Sequence, residues 1–174
     1  MSEAEGMATI YNADEVFKMG EQIERNGRRF YLRAAGQCKD AAVKALLLRL
    51  ADMEADHEAI FAKMRKDIAR QGLPQIEYDP EAQASLYLQA SADTHVFNVY
   101  QDQAALLKGK DSAEDILTIA IRFEKDTVVF FLGVKDVVPA HLGKDRIDWL
   151  IQQEMSHIVD LTSQLRSVRE KATR

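Results

Sequence analysis

The same three polar residues occur twice, at the same spacing, in this chain of 174 residues. Each copy has a glutamate, a second glutamate thirty positions later and a histidine three positions after that. The two sets, one hundred positions apart, are Glu24, Glu54 and His57, and Glu124, Glu154 and His157. A separation of three puts the second glutamate and the histidine on one face of a helix, about 5–6 Å apart at Cβ. Because carboxylates and imidazoles are metal ligands, the repeat predicts a metal site to which both halves of the chain contribute.

The four glutamates are predicted to point into the core of the protein. Glu24 lies seven residues from both Phe17 and Tyr31, so it falls within the apolar stripe of its helix, and the other three glutamates have equivalent neighbours. Burying an isolated carboxylate is costly, and four together repel one another. The charges must therefore be neutralised by protons, by basic side chains or by cations, and few basic residues lie on the inward faces.

The charge balance predicts the number of metal ions. The four glutamates carry four negative charges, which two divalent ions neutralise. Oxygen ligands with one imidazole for each ion form a fairly hard ligand set that suits iron or manganese, with zinc as a substitute, and iron is our choice. A single Glu-x-x-His on a charged helix is usually an exposed pair that binds no metal, whereas two copies inside apolar stripes favour a dimetal site.

Four long helices and one crossover helix are predicted to position these residues. Asn12 and Glu15 have the spacing of a capping box at the start of the first helix, and Asp40 can cap the second. The predicted helices are 12–36, 40–72, 80–107, 112–139 and 144–170. Two pairs with short joins, linked by a long crossover at about 72–112, are typical of a ferritin-like four-helix bundle of two antiparallel helical hairpins.

Length and composition fit a single all-α domain over residues 1–174. Apolar residues make up 47% of the chain and charged residues 29%. The net charge of −5 argues against a nucleic-acid partner. Cys38 is the only cysteine, which excludes an internal disulfide or a four-cysteine metal site and suits a reducing cytoplasm. No stretch approaches the length of an apolar membrane span, and no export signal is expected.

Aromatic pairs follow the first glutamate of each set and complete longer motifs. The motifs are Glu24 with Phe30-Tyr31, Glu54-Ala55-Asp56-His57, Glu124 with Phe130-Phe131, and Glu154-Met155-Ser156-His157. Together they resemble the diiron domain of the rubrerythrin family, within the ferritin-like superfamily, over about residues 12–168. The resemblance implies a carboxylate-bridged diiron site held by the six repeated residues. It implies that Glu54 and Glu154 are bridging or paired ligands. Glu24 and Glu124 are then terminal ligands.

Three differences from the family shape the expected chemistry. Rubrerythrins carry a C-terminal rubredoxin domain with four cysteines, and this chain ends without one, so we expect electrons to come from a separate donor protein. Thr127 stands where rubrerythrins have an extra glutamate, which makes the ligand set closer to that of bacterioferritins. No fifth short helix follows the fourth and the crossover is long, so we expect a homodimer rather than a storage cage.

Three functions fit these residues. The first is a diiron oxidoreductase that acts on hydrogen peroxide or dioxygen, with no catalytic residue beyond the metal ligands. The second is a non-catalytic iron-binding protein, or an iron-handling protein of the ferroxidase type. The third is a structural bundle whose inward glutamates are protonated and bind no metal. Tyr31 could supply an electron or a hydrogen bond to the site, but a tyrosine in an apolar stripe is more often a core residue, so it is left out of the predicted site.

Overall fold

Four long α-helices dominate the part of the chain that the computed structural model describes, which is residues 12–71, 87, 107–110 and 112–173. They are α1 (Ala13–Gln37), α2 (Ala41–Gln71), α3 (Ala113–Val137) and α4 (Lys144–Ala172). One turn of 3₁₀-helix, Ala140–Leu142, lies between α3 and α4. Each long helix agrees with its predicted range to within about two residues at either end, the usual uncertainty of a helix boundary. None of the described helices combines the length and the apolar run that a membrane span requires.

Side-chain caps begin both helices of the first hairpin where the sequence predicts them. The Asn12 side chain accepts a hydrogen bond from the Glu15 backbone N–H, and the Glu15 carboxylate accepts one from the Asn12 N–H, both at 2.9 Å. The Asp40 carboxylate accepts the backbone N–H groups of Ala42 and Val43 at 2.9 and 3.0 Å. Each cap satisfies N–H groups that a helix start leaves without an internal partner, so it determines where the helix begins.

The helices form two antiparallel hairpins. α1 packs along α2 after the short connection 38–40, and α3 packs along α4 after residues 138–143. The hairpins meet through contacts of α1 with α3 and of α2 with α4. Short connections make successive helices run antiparallel, and the four helices then enclose one core. The predicted all-α four-helix bundle is confirmed.

The apolar core has two parts, and the predicted ligands lie between them. One cluster contains Phe17, Phe61 and Phe131, and the other contains Tyr31 and Leu50. Each long helix contributes to both clusters and passes from one to the other at its predicted glutamate ligand. The buried carboxylates therefore form a polar layer across the bundle, with closely packed side chains on both sides.

The predicted crossover helix at 80–107 lies outside the described residues, except for its last residue and for Tyr87, which is helical. The Tyr87 hydroxyl donates a hydrogen bond to the Val129 carbonyl of α3, at 2.9 Å. Gly133, about one turn further along α3, leaves the space that the Tyr87 ring occupies, since a Cβ atom there would overlap the ring. Tyr87 therefore lies against α3.

Candidate metal centre

All six predicted ligands are buried in the polar layer. The exposed fraction is 0% for Glu24, Glu124 and Glu154 and 1% for Glu54, His57 and His157. Each glutamate comes from a different long helix, and the histidines lie about one turn after the glutamates of α2 and α4. Because each residue belongs to the apolar stripe of its helix, packing of the four stripes brings the six side chains together.

The ligand atoms form two overlapping groups. Within each group, one oxygen or nitrogen from every residue lies within 4.8 Å of the others. The groups are Glu24, Glu54, His57 and Glu154, and Glu54, Glu124, Glu154 and His157. Glu54 and Glu154 belong to both groups, and each group has one histidine and one glutamate of its own. The arrangement has the form of two adjoining ion positions that share two carboxylates.

Both imidazole rings direct Nδ1 at carboxylate oxygens. His57 Nδ1 is 2.8 Å from Glu154 Oε1 and 3.6 Å from Glu24 Oε2. His157 Nδ1 is 3.0 Å from Glu154 Oε2 and 3.3 Å from Glu124 Oε1. The two rings stack, with centroids 5.5 Å apart and planes inclined by 12°. Glu154 therefore faces both histidines, with one oxygen towards each.

Several of these buried atoms make no hydrogen bond. They are both oxygens of Glu24 and of Glu154, Oε1 of Glu54, Oε2 of Glu124, Nδ1 of both histidines and Nε2 of His157. Buried polar atoms normally have partners, because an unsatisfied one costs about 1–3 kcal/mol. Cations would satisfy acceptor atoms that crowd together from four helices. The residues present therefore fit a pair of divalent ions, and oxygen ligands with one imidazole for each ion suit iron or manganese.

In the metal-free protein most of these groups hold protons, but Glu154 does not, because its contacts with His157 and His57 outweigh burial and lower its pKa. Burial raises the pKa of Glu24 well above its usual value, and the charge of Glu154 adds to the rise. Burial also raises the pKa of Glu54, and burial with the charge of Glu154 raises the pKa of Glu124 to about 8. Burial opposes a charge on His157, but its contacts with Glu124 and Glu154 outweigh burial and raise the pKa of His157 to about 10. Ions that bind here at neutral pH must therefore displace protons.

Tyr31 joins the centre, although the sequence interpretation left it out. Its buried hydroxyl donates a hydrogen bond to Oε1 of Glu124. Phe131 has the equivalent position in the second half of the repeat and has no hydroxyl, and both oxygens of Glu24 lack a hydrogen-bond partner. The two halves of the centre are therefore not equivalent. The exchange of tyrosine for phenylalanine in an otherwise matched repeat is the sequence signal that could have identified this role.

Gly27 and Thr127, at equivalent positions in the repeat, make a second difference between the halves. A Cβ atom at Gly27 would lie 2.8 Å from Oε2 of Glu54 and 3.0 Å from the Phe123 ring, so glycine leaves the room that this carboxylate needs. The buried Thr127 hydroxyl donates a hydrogen bond to the Phe123 carbonyl at 3.1 Å. Threonine has no carboxylate, so this position adds none to the centre.

Two further acids of the first hairpin, Glu21 and Glu58, pair with arginines. Arg25 binds Glu58 through Nε at 2.9 Å and Glu21 through Nη2 at 2.8 Å. Arg65 binds Glu21 at 2.9 Å and also binds Asp14. These ion pairs join α1 to α2 and neutralise Glu21 and Glu58, so neither acid is left to neutralise a metal ion.

Comparison with known proteins identifies the fold and the family. Among solved structures, a Thermotoga maritima protein described as ferritin-like and diiron-carboxylate is similar to this chain, with a TM-score of 0.60 and 21% identity. The match covers 90% of this chain and 95% of that one and confirms the ferritin-like fold. No curated protein matches the chain. A family model described as rubrerythrin matches residues 15–165. The chain therefore belongs to the rubrerythrin family, as its paired motifs predicted.

Proposed function

We propose that this centre binds two iron ions and that the protein is an oxidoreductase acting on hydrogen peroxide or dioxygen. The observation that supports it most is the convergence of buried carboxylates and imidazoles into two groups that share Glu54 and Glu154. Manganese and zinc are compatible with the same ligands and are the expected substitutes. Membership of the rubrerythrin family supports iron over both.

In this proposal each ion has one histidine and one terminal glutamate of its own. Glu24 and His57 would hold the first ion, and their repeat counterparts would hold the second. Glu54 and Glu154 would be shared by the two ions, which is supported by their place in both groups of ligand atoms. Only these six residues are proposed to bind metal, and no other side chain is assigned a catalytic role.

The protein's own residues fix geometry and control water and protons around the centre. The pair of ferrous ions, when bound, supplies the two electrons that reduce hydrogen peroxide to two water molecules. The apolar clusters on both sides of the polar layer exclude bulk water. The Tyr31 hydroxyl orients Glu124 through its hydrogen bond and holds a proton at Oη beside the centre.

We also propose the setting in which this activity takes place. Electrons come from a separate donor protein, because the single cysteine of the chain is too few for a rubredoxin-type iron site. The buried Cys38 suits the reducing cytoplasm. The protein acts as a homodimer without nucleic-acid or membrane partners, and exposed apolar side chains such as Leu132 and Val159 offer surface for self-association.

One observation favours a second function, the oxidation and handling of ferrous iron with dioxygen rather than peroxide turnover. Thr127 stands where the resemblance to rubrerythrins predicts an extra glutamate, and its hydroxyl is engaged by the Phe123 carbonyl. The centre therefore has the shorter ligand set that resembles that of bacterioferritins.

Anaerobic loading with ferrous iron, followed by rapid mixing with peroxide or dioxygen, tests both functions. Two ions per chain and fast oxidation by peroxide are expected for the oxidoreductase. Fast oxidation by dioxygen alone would indicate iron handling, and slow oxidation by both would leave a non-catalytic iron-binding protein. An absence of stoichiometric binding would contradict the whole proposal.

A pair of histidine variants tests the ligand assignment. His157→Ala should lose at least one of the two ions, because it removes the nitrogen ligand of one group. His141 is exposed and lies in the 3₁₀ turn, so His141→Ala is the matched control and should still bind two. If His157→Ala binds two ions like the control, the ligand assignment is wrong.

A further inference from the structure

Trp149, the single tryptophan of the chain, connects the buried centre with the protein surface. It lies on α4 and is 49% exposed. Its ring contacts the buried His57 ring, with centroids 5.8 Å apart and planes inclined by 86°. This edge-to-face contact joins an oxidisable indole to a predicted metal ligand. The two rings in contact therefore lead from the protein surface to the buried centre.

The equivalent position in the repeat has a different side chain and a different contact. Arg49, one hundred residues before Trp149, forms an ion pair with Asp160 at 2.7 Å. The repeat counterpart of Asp160 is Ile60, which lines the groove between α2 and α4 beside Trp149. Arg49 and Asp160 line a separate pocket between the same two helices, so the two halves of the repeat place different side chains at equivalent positions. The route to His57 is a feature of one half of the centre.

We propose that Trp149 is a one-electron relay between the centre and the protein surface. The proposal rests on the proposed function, because it concerns the reduction of hydrogen peroxide at that centre. Reduction of one peroxide to two waters takes two electrons and two protons. A single ferrous ion held by these ligands would supply one electron and become ferric, and the Trp149 indole would supply the other.

Water accepts and supplies the protons that balance this reaction. On losing one electron the indole releases its N–H proton to water and becomes a neutral radical, while the peroxide takes up two protons and leaves as two waters. A reduced one-electron carrier then returns an electron to the ring, and water returns the proton. The half-exposed position of Trp149 allows both steps, because carrier and solvent reach the ring directly. Trp149 is then restored, and a second electron from the carrier would return the ferric ion to the ferrous state and complete the cycle.

Tyr31 is a second oxidisable side chain at the centre, but its surroundings are different. It has no exposed surface, and its hydroxyl donates to Glu124. On oxidation its proton would pass to that buried carboxylate rather than to solvent, and no carrier could reach the ring. The geometry therefore favours Trp149 as the relay residue.

Two substitutions separate electron transfer from packing. Trp149→Phe keeps an aromatic ring against His57 but cannot be oxidised under these conditions, whereas Trp149→Tyr keeps an oxidisable ring. Each protein is loaded with one ferrous ion per chain, mixed with peroxide, frozen rapidly and examined by electron paramagnetic resonance. We expect an indolyl radical in the unmodified protein, loss of the aromatic radical in Trp149→Phe and a tyrosyl radical in Trp149→Tyr.

Zinc binding adds a readout that does not depend on turnover. Trp149→Phe should bind two zinc ions, the number expected of the unmodified protein, and equal binding would show that its ligands remain in place. If Trp149→Phe does not bind zinc, the Trp149→Tyr variant tests the proposal instead. The relay requires an indolyl radical in the unmodified protein and a tyrosyl radical in this variant. Arg49→Met removes the ion pair at the equivalent position and should leave the indolyl radical unchanged.

Three results would overturn the proposal that Trp149 relays electrons. A radical in Trp149→Phe like that of the unmodified protein, or a radical assigned to Tyr31 in the unmodified protein, would overturn it. Two-ion binding and peroxide consumption with no aromatic radical at single-ion loading would overturn the relay and leave the proposed function standing. Failure of the unmodified protein to bind two ions would instead contradict the proposed function itself.

Discussion

At the scale of single residues, Gly27 leaves the space that the Glu54 carboxylate occupies. Gly27→Ala places a methyl group 2.8 Å from Oε2 of Glu54 and 3.0 Å from the Phe123 ring, so the carboxylate must move. We expect the variant to lose at least one of the two bound ions. Titration with zinc, followed by calorimetry, measures the number of ions bound.

Gly36→Ala is the matched control for this variant. Gly36 lies on the same helix, and nothing lies within 4 Å of a Cβ atom at that position. The control should bind two ions and keep or raise its Tm, because alanine favours a helix over glycine by up to about 1 kcal/mol. Two-ion binding by both variants would contradict the assignment of Glu54 as a ligand.

Tyr31→Phe removes the hydroxyl that donates to Glu124 and keeps the buried ring. Groups that orient a metal ligand are worth about 10- to 100-fold in affinity, so we expect one of the two ions to bind more weakly by about that factor. Competition for zinc with a chromophoric chelator measures both affinities. Tyr87→Phe removes a hydroxyl that donates to the Val129 carbonyl and should change neither affinity. If Tyr31→Phe also changes neither, Tyr31 is a core residue without influence on the metal.

At the scale of helices, Asp40 fixes the start of α2, the helix that carries Glu54 and His57. Hydrogen bonds from the backbone N–H groups of Val43 and Ala42 hold the pKa of Asp40 below its usual 3.8. Asp40→Ala should lower the free energy of unfolding by about 1 kcal/mol at neutral pH. Because folding lowers this pKa, the contribution of the charge is present above the unfolded value and is lost as the pH falls through the folded value.

Thermal unfolding at neutral and at acid pH measures this contribution. The difference in Tm between the unmodified protein and Asp40→Ala should narrow in acid. Asp52→Ala, an exposed position in the interior of α2, controls for loss of an acidic residue and should not lower the Tm. An undiminished difference in acid would show that the charge of Asp40 does not act as proposed.

The helix starts and the six candidate ligands could be predicted because both signals are local or repeated. Asn12 and Glu15 lie three residues apart, and Asp40 acts on N–H groups two and three residues away. Periodicity shows which side chains face inward, so the four glutamates could be assigned to the core, where the structure places them. That the six residues bind metal stays a prediction.

Contacts between helices could not be predicted in the same way. Tyr31 reaches a glutamate on α3, and Trp149 on α4 reaches a histidine on α2. Periodicity gives the direction of a side chain from its own helix but not the residue that it meets. The space at Gly27 likewise depends on where another helix places Glu54. The predicted crossover helix at 80–107 stays a prediction, because it lies almost entirely outside the described residues.

At the scale of the whole molecule, the metal-free protein should become less stable as the pH rises. Folding raises the pKa of Glu24 and Glu54 and raises that of Glu124 to about 8, so above their usual 4.5 the folded protein binds more protons than the unfolded chain. His157, with its pKa raised to about 10, adds stability below its usual 6.5 that is lost as the pH rises. Both effects reduce the free energy of unfolding between about pH 5 and 8.

Circular dichroism of chelator-treated protein, heated at several pH values across this range, measures the trend. Loading with zinc should reverse it, because deprotonated ligands bind metal more tightly and binding to the folded state raises the Tm. A Tm of the metal-free protein that rises with pH would contradict the predicted proton uptake.

The two apolar clusters on either side of the polar layer have a consequence for how the protein is made. Each cluster joins all four long helices, and neither contains a predicted ligand. A newly synthesised chain is therefore expected to fold before it meets a metal ion, with the six side chains already gathered. Folding would then precede metal loading, and metal-free protein that is already folded could take up ions whenever they become available.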